Sequence, residues 1–283
     1  MKFFKNLPIV MASAILLGTA LTQTPAEVNA APLTGTVTVS GSSAIHPLTV
    51  EAGKQFKAKN PGVTVTSTAT NSLKGAQAVS NGTVKIGASD WDNSKSVPGF
   101  TAIKGLVPHP IAVIPFATIA NNNVKVSNLT TKQLQDIFAG RVKNWNQVGG
   151  QNAPIVVINR ASGSGTRVNF QSKLLKGASI AKIGKEVASG GDMATAVSKT
   201  PNAIGYIDLA KVTSAMKTEK YNGVAPTTAN VINKTYPGWA YGFYLTKGTA
   251  TGATKSFIDY VRSSQFQTTT VKKMGFIPLT SMK

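Results

Sequence analysis

The sequence predicts an α/β fold built from layers of helices and mainly parallel sheets. Short apolar or alternating segments, typical of strands, occur in turn with longer segments whose apolar residues have helical spacing. Glycine- and serine-rich turns lead from several strands directly into the next helix, an order typical of layered α/β proteins. The chain has 283 residues and is 42% hydrophobic, which is enough for two modest domains with separate cores.

The first predicted elements follow one another closely. Val37 and Val39 alternate with polar residues and predict a strand over residues 35–40. Apolar residues recur at helical spacing over residues 48–58, and Asn-Pro-Gly at 60–62 ends this helix.

The same order is then repeated. Val63 and Val65 alternate in a second strand, a polar turn follows, and residues 73–79 form a second predicted helix. A third strand is predicted at residues 84–86, and it ends in the polar segment 87–91.

The remaining elements are predicted from periodicity and length. Residues 109–120 are long and apolar and are interpreted as a strand that crosses from a first domain into a second. Residues 129–140 predict a capped helix closed by glycine, and Trp145 follows on a loop. Further strands are predicted at residues 155–159, 202–207 and 238–247, and further helices at 168–175 and 254–263.

Residues 160–166, Arg-Ala-Ser-Gly-Ser-Gly-Thr, connect a predicted buried strand to a helix and suggest an anion site. A helix N-terminus presents unpaired backbone N–H groups and the positive end of the helix dipole. Ser164 and Thr166 add hydroxyl donors, and the Arg160 guanidinium can donate to two oxygens of one phosphate. The alternative is an ordinary corner in which Ser162 or Ser164 caps the helix and Arg160 is a solvated surface charge.

Two other turns have related chemistry. Ser42 and Ser43 lie between the first strand and its helix, although simple capping would explain them as well. Asp90 follows the strand at 84–86. An ionised carboxylate only accepts hydrogen bonds, so beside an anion it would favour phosphate that still carries a proton over sulfate. The alternative for Asp90 is a turn or capping role.

With these motifs in family order, nearly all of the chain after residue 30 resembles the phosphate-binding proteins of bacterial phosphate ABC importers. The segments that carry the resemblance most specifically are residues 41–47, 87–90, 129–145 and 160–166. The resemblance implies a type II periplasmic-binding-protein fold with two lobes, two crossing strands and a cleft that closes over dehydrated phosphate. The implied lobes comprise residues 31–116 plus 246–283, and residues 117–245.

The resemblance also implies a phosphate site. Arg160 would be the cationic clamp, and Asp90 would accept the phosphate proton. The hydroxyl and amide donors would be Ser164, Gly165 and Thr166 together with Ser43, Ala44 and Ile45, the last three chiefly through backbone N–H.

The sequence departs from the family pattern near two of these positions. Where the family usually has a serine-glycine pair, this chain has Ala-Thr-Asn-Ser at 69–72, so Thr70 and Ser72 are the candidate substitute donors. Ser42 is a further candidate. Ser162 stands where some relatives carry an aspartate that orients the arginine.

Residues 1–30 have the features of a removed signal peptide. Lys2 and Lys5 precede an apolar segment at 9–21 that is too short to span a bilayer, and Val-Asn-Ala at 28–30 fits a cleavage site. The sequence contains no cysteine, which excludes disulfides, thiol catalysis, cysteine metal sites and a lipidated cysteine. We therefore expect a secreted, extracellular protein, associated with the cell surface without a lipid anchor.

The chain is strongly basic. Without Lys2, Lys5 and Glu27 it has 28 basic and 9 acidic side chains, a formal charge of +19. Such an excess favours anionic partners, here wall polymers, exopolysaccharide or lipid headgroups. The lysines are dispersed and aromatic residues make up only 7%, which argues against nucleic acid.

Phosphate import is therefore the first functional hypothesis. We expect inorganic phosphate and an ABC permease as partners of a monomeric protein. The alternative is a surface protein that keeps the fold but binds anionic wall polymer or exopolysaccharide, with a role other than import.

Catalysis is not expected. His46 and His109 are the histidines of the chain, and a set of Ser164, His46 and Asp90 is conceivable but has no support from spacing. Neither a GxxxxGK[ST] loop nor an HExxH pair occurs, so nucleotide hydrolysis and zinc proteolysis have no basis in the sequence. No cofactor and no metal are expected.

Overall fold

A computed structural model of the protein describes Met1 and residues 32–282. The predicted signal peptide, residues 1–30, lies outside the described residues apart from its first one. None of the helices in residues 32–282 combines the length and the apolar character that a membrane span requires. The described chain is an α/β structure in which helices flank a curled, mixed sheet.

The strands define one large sheet and one small one. They are β1 (Gly35–Gly41), β2 (Val63–Ala69), β3 (Ile86–Ser89), β4 (Leu106–Asn121), β5 (Asn128–Leu129), β6 (Val156–Arg160), β7 (Lys185–Val187), β8 (Ala203–Asp208), β9 (Met216–Thr218), β10 (Lys220–Tyr221) and β11 (Trp239–Lys247). The large sheet has the order β2-β1-β3-β11-β4-β8-β6-β7, with β9 paired to β4, and β10 pairs with β5 in the small sheet.

The helices connect these strands. They are α1 (His46–Lys59), α2 (Ser72–Ser80), α3 (Thr131–Phe138), α4 (Gly165–Lys173), α5 (Gly190–Lys199), α6 (Thr228–Ile232), α7 (Gly252–Arg262) and α8 (Ser264–Phe266). A π-helical turn at Gln267–Val271 continues α8, and 3-10 turns lie at Trp145–Val148, Leu209–Lys211 and Leu279–Met282. The predicted helices are all present, whereas α5, α6 and α8 are absent from the sequence-based prediction.

Most element boundaries differ from the prediction by a few residues, and Trp145 lies in a different local structure. The third strand begins at Ile86 and not at residue 84, because its pairing with β1 starts there. Helix α4 begins at Gly165 and not at residue 168, because the Ser164 side chain caps it. Trp145, which was expected on a loop, is buried in a 3-10 turn and donates its ring N–H to the Asn202 carbonyl over 3.0 Å.

The sheet is more mixed than the sequence pattern predicts. β1 is parallel to β2 and β3, and β6 is parallel to β7 and β8. The antiparallel pairs of the large sheet all involve β4 or β11. β4 pairs with β11 up to Pro115 and with β8 from Phe116, so one long strand joins two groups of parallel strands. The lobe boundaries given above remain a prediction.

Hydrophobic clusters hold the two groups of parallel strands in place. The cluster around β1 and β3 includes Leu48 and Phe56 from α1 and Phe257 from α7. On the other group, Phe170 and Tyr206 lie in a second cluster on one face of the sheet. A third cluster covers the opposite face with side chains such as Ile119, Met193 and Ile207. Each group therefore presents the ends of its strands from a packed and rigid base.

Candidate functional site

Most of the predicted site residues converge at turns that follow β1, β3 and β6, and Ser72 joins them from the start of α2. β1 and β3 are parallel neighbours, so their carboxyl ends lie at one edge of the sheet. The turn between β6 and α4 faces this edge and makes direct contacts with it. The predicted residues that are buried there are Ser42, Ser43, Ala44, Ile45, Ser72, Asp90, Arg160, Ser164, Gly165 and Thr166.

Asp90 lies at the centre of this cluster and is only 4% exposed. The Ser42 hydroxyl donates to one of its carboxylate oxygens, and the Thr166 hydroxyl lies 3.4 Å from the other. The backbone N–H of Asp90 donates to the Ser72 hydroxyl over 3.1 Å. Asn169 donates from its amide to the Asp90 carbonyl over 2.8 Å. The turn after β1 and the turn after β6 therefore both contact the Asp90 carboxylate.

Gly165 permits this close approach. A Cβ added at Gly165 would lie 2.4 Å from the Ser72 hydroxyl oxygen and 2.5 Å from Asp90 Oδ2. No larger residue fits without moving one turn away from the other. The first residue of α4 is thus glycine because the helix N-terminus must lie directly against the carboxylate.

Arg160 is also buried, at 2% exposure, so the alternative of a solvated surface charge is wrong. Its Nη2 donates to the Ala188 carbonyl over 3.0 Å and to the Ser43 hydroxyl over 3.3 Å. Its Nε is buried and has no hydrogen-bond partner within residues 32–282. The Ala188 carbonyl thus orients the arginine, a task that the resemblance assigns to an aspartate at position 162. Ser162 itself is exposed.

Several backbone N–H groups of the cluster have no acceptor among the described residues. In the part of the chain that the structure describes, no acceptor is found for the N–H groups of Ser43, Ile45, Gly165 and Thr166. The last two lie in the first turn of α4, where N–H groups have no partner inside the helix and the dipole is positive. Such groups can donate to the oxygens of an anion.

Two predicted donors have partners within their own turns. The Ala44 N–H donates to the Ser42 hydroxyl oxygen over 3.1 Å. The Ser164 hydroxyl oxygen accepts the Arg167 N–H over 3.4 Å, so the capping alternative is correct for Ser164. The hydrogen of the Ser164 hydroxyl remains available as a donor.

The two candidate substitute donors lie in different surroundings. Ser72 is buried, and its hydroxyl touches Asp90. Thr70 is half-buried, and its hydroxyl contacts Ser40 and the Asn71 carbonyl. Among residues 32–282, Thr70 has no hydrogen bond to Asp90, Arg160 or Ser164. The structure therefore brings Ser72 into the cluster but not Thr70.

Burial dominates the electrostatics of the cluster. It raises the pKa of Asp90 to about 6, against the hydrogen bond from Ser42, while the neighbouring Asp208 raises it further. Arg160 and Lys211 lower the Asp90 pKa by their positive charge. Burial also lowers the pKa of Arg160, although a guanidinium stays charged at neutral pH. At neutral pH the cluster contains a fixed cation beside a carboxylate that can accept a proton.

Several residues of the cluster have no counterpart in the sequence prediction. Asn169 links Asp90 to the Gly165 carbonyl, and Tyr206, stacked on Phe170, accepts the Arg160 backbone N–H. Gly190 donates its N–H to the Ser43 hydroxyl oxygen over 3.2 Å.

One of these omissions had a detectable pattern. Residues 189–192, Ser-Gly-Gly-Asp, follow β7 and begin α5 with a capping box. This is the same strand, Gly-Ser turn and helix order as at Arg160. The pattern alone was enough to predict a polar turn here.

The described residues do not assemble a catalytic or metal centre of the types considered. Within residues 32–282 no group of three or more His, Cys, Asp or Glu side chains could hold a metal ion. His46 contacts the Ser67 hydroxyl at 2.9 Å, and burial lowers its pKa. No hydrogen bond joins His46 to Ser164 or Asp90 among the described residues.

Comparison with protein families matches the chain to one family model. The model is described as a PBP superfamily domain, and it matches residues 26–265. This match covers more than half of the chain and includes every predicted site residue.

Individual relatives agree with this match. The phosphate-binding protein PstS of Bacillus subtilis (strain 168) is 38% identical over 250 residues, which cover 88% of this chain and 82% of that protein. The phosphate-binding protein PstS of Borreliella burgdorferi is 27% identical over 253 residues, covering 85% of this chain and 89% of that protein.

Solved structures are similar as well. A phosphate ABC transporter substrate-binding protein from Clostridium perfringens, with bound phosphate, has a TM-score of 0.80 and 32% identity. The match covers 87% of this chain and 100% of that one. An ABC-type phosphate transport receptor from Vibrio cholerae has a TM-score of 0.70 and 26% identity, covering 85% and 99% of the two chains.

Proposed function

The chain belongs to the PBP superfamily, among the PstS-like phosphate-binding proteins, and we propose that it binds inorganic phosphate between the turns described above. We further propose that it is secreted and delivers phosphate to an ABC importer. The resemblance noted in the sequence is confirmed for the family and the fold. One observation carries the proposal: the guanidinium of Arg160 and the carboxylate of Asp90 are both buried in a cluster with backbone N–H groups for which the described residues supply no acceptor.

The proposed binding is a cage of charge-assisted hydrogen bonds without chemical conversion. Arg160 supplies the fixed positive charge, and its Nε and the free N–H groups of both turns donate to phosphate oxygens. The hydroxyls of Ser43, Ser72, Ser164 and Thr166 are the additional donors. A fully dehydrated anion requires such a set, because every oxygen without a donor would weaken binding.

Asp90 gives the cage its selectivity in this proposal. Its carboxylate accepts the proton of hydrogen phosphate, whereas sulfate has no proton at neutral pH and would be repelled. Below pH 6 the carboxyl is itself protonated and can donate to sulfate. Selectivity for phosphate should therefore decrease as the pH falls through 6.

Access to Asp90 requires movement. Asp90, Arg160 and Thr166 are each at most 4% exposed. Hydrogen bonds from Arg160 to Ser43 and from Thr166 to Asp90 join the turn after β6 to the turns after β1 and β3. We propose that residues 31–116 with 246–283 and residues 117–245 form two lobes that separate and close again around phosphate. β4 and β11 would be the crossing strands.

Calorimetry of the full chain tests the function directly. We expect Arg160→Ala to weaken phosphate binding by more than about 100-fold, because removing one partner of a buried charge pair costs about 3–5 kcal/mol. Arg141→Ala is the matched control, since Arg141 is 61% exposed and pairs with Asp136 at the surface. Equal affinities of the Arg160→Ala and unmodified proteins would exclude Arg160 from the site. Absence of phosphate binding by the unmodified protein would refute the function.

Selectivity has its own test. Asp90→Asn should narrow the difference between phosphate and sulfate affinity at pH 7.5. In the unmodified protein, sulfate should compete more strongly with phosphate as the pH is lowered from 7.5 to 5. An unchanged preference in the variant would contradict the role of Asp90 as proton acceptor.

The formal charge of +19 favours a second candidate function, retention on anionic wall polymer or exopolysaccharide. In this case the protein remains at the cell surface as a monomer through dispersed lysines. Increasing salt should then release it from cells, since screening weakens exposed ion pairs. Affinity for purified polymer combined with no affinity for free phosphate would favour this function over import.

A further inference from the structure

A second cation lies beside the proposed phosphate site. Lys211 belongs to the 3-10 turn after β8, and its ammonium lies 3.0 Å from both carboxylate oxygens of Asp208. The same ammonium donates to the Ala44 carbonyl over 3.2 Å. Asp208 is buried and the Lys211 side chain is 18% exposed, so this ion pair is largely shielded from water. Lys211 thus joins the second group of strands to the turn after β1.

The contacts of Lys211 lead directly to the donors of the site. Its stem packs on Gly190, where an added Cβ would lie 3.1 Å from Lys211 Cδ. Gly190 donates to the Ser43 hydroxyl, and Ala44 donates to the Ser42 hydroxyl, which in turn donates to Asp90. Lys211 therefore fixes the orientation of the turn whose Ser43 and Ile45 N–H groups are free.

We propose that Lys211, held by Asp208, is a positioning residue that keeps the turn at Ser43 to Ile45 closed over the bound phosphate. The inference rests on the proposed phosphate binding. In the proposed closure of the lobes the Lys211 contact to Ala44 would form as the turns meet, so it should stabilise the occupied site more than the free protein. Its loss should therefore speed the release of phosphate and leave the association rate nearly unchanged.

The other charged groups near the ion pair define the expected electrostatics. The charges of Arg160 and Lys211 lower the pKa of Asp90, whereas the charge of Asp208 raises it. Burial is the main cause of the lowered His46 pKa, and the charge of Lys211 is the second. Removing Lys211 leaves the Asp208 carboxylate without its counter-charge beside an anion. Repulsion then adds to the loss of the hydrogen bond.

The test uses the full chain and inorganic phosphate as the probe. We expect Lys211→Met to weaken phosphate binding at least tenfold in calorimetry and to raise the dissociation rate by a similar factor. Stopped-flow fluorescence gives that rate, with buried Trp91 next to Asp90 as a reporter. Lys211→Arg keeps a donor for Asp208 and Ala44 and should bind within threefold of the unmodified protein. Lys132→Met is the control, since Lys132 is 72% exposed.

Further variants separate charge from structure. Adding Asp208→Asn to Lys211→Met removes the uncompensated carboxylate and should recover part of the lost affinity. If Lys211→Met does not fold, Lys211→Gln, which keeps a hydrogen-bond donor but no charge, replaces it with the same expected direction. Because Asp208 is buried, Lys211→Met should also lower the phosphate-free melting temperature, and the added Asp208→Asn should recover part of that loss.

The outcomes distinguish the inference from the function. If the unmodified protein binds phosphate and Lys211→Met binds and releases it equally, the inference is overturned and the function stands. A large loss of stability without phosphate, with unchanged affinity, also overturns the inference because Lys211 would then serve only the fold. No binding by the unmodified protein overturns both.

Discussion

Replacing Asp90 with asparagine should stabilise the protein in the absence of phosphate, although it impairs selectivity. Asp90 is 4% exposed, and burial raises its pKa from 3.8 to about 6. An acid whose pKa is higher in the folded state binds its proton more tightly there than in the unfolded chain. Its contribution is fully favourable below the unfolded pKa and is lost as the pH rises through 6.

The size of this stabilisation follows from the difference between the folded and unfolded pKa of Asp90. A displacement of about 2 on the pKa scale corresponds to about 3 kcal/mol, which is an upper limit for the penalty at pH 7.5. Asparagine does not titrate, but its single amide oxygen can accept from only one of Ser42 and Thr166, and the lost hydrogen bond offsets about 1 kcal/mol. The net gain should be about 1–2 kcal/mol at pH 7.5, or about 2–8 °C in melting temperature.

Urea denaturation between pH 4 and pH 8, followed by tryptophan fluorescence, measures this gain. The buffers must contain neither phosphate nor sulfate, since a bound anion would stabilise the folded state. Asp259→Asn is the control, because Asp259 is 54% exposed and pairs with Lys255 on α7. A stability difference between Asp90→Asn and unmodified protein that is constant from pH 4 to pH 8 would refute the reasoning. So would a variant that is less stable at pH 7.5.

Three further predictions concern neighbouring residues. Gly165→Ala should weaken phosphate binding at least tenfold, because the new Cβ would lie 2.5 Å from Asp90 Oδ2; Gly191→Ala, with its nearest contact at 3.6 Å, should bind normally in the same calorimetry. Asn169→Ala should weaken phosphate binding about tenfold, whereas the melting temperature without phosphate should change little. The reason is that the lost hydrogen bond to the Asp90 carbonyl joins α4 to the turn after β3. The opposite pattern would make Asn169 a residue of the fold alone. Glu219→Gln should stabilise the protein by about 1–2 kcal/mol at pH 8 and by much less at pH 5 in urea denaturation, because burial raises the Glu219 pKa to about 7, against the charge of Lys217. A destabilised variant at pH 8 would show that the ion pair with Lys217 outweighs the burial of the carboxylate.

Prediction from the sequence succeeded where the determinant is local. The strand, Gly-Ser turn and helix order at Arg160 depends on backbone preferences and capping within a few residues, and the structure has it nearly as predicted. The same is true of the capped helix α3 and its terminal Gly140, which has a positive φ. The relative direction of paired strands was harder to predict, since β4 and β11 run antiparallel to neighbours that are distant in sequence.

The sequence by itself determined the α/β class and the three polar turns, and it indicated Asp90, Arg160 and Thr166 as candidate site residues, because each depends on a short local pattern. Only the tertiary structure decided that Gly165 lies against Asp90, that Ala188 orients Arg160 and that Lys211 reaches Ala44. The Lys211 contact joins residues 167 positions apart, and the bond from Asn169 to Asp90 joins residues 79 apart. Contacts at such separations depend on the packing of the whole core, which no local pattern contains.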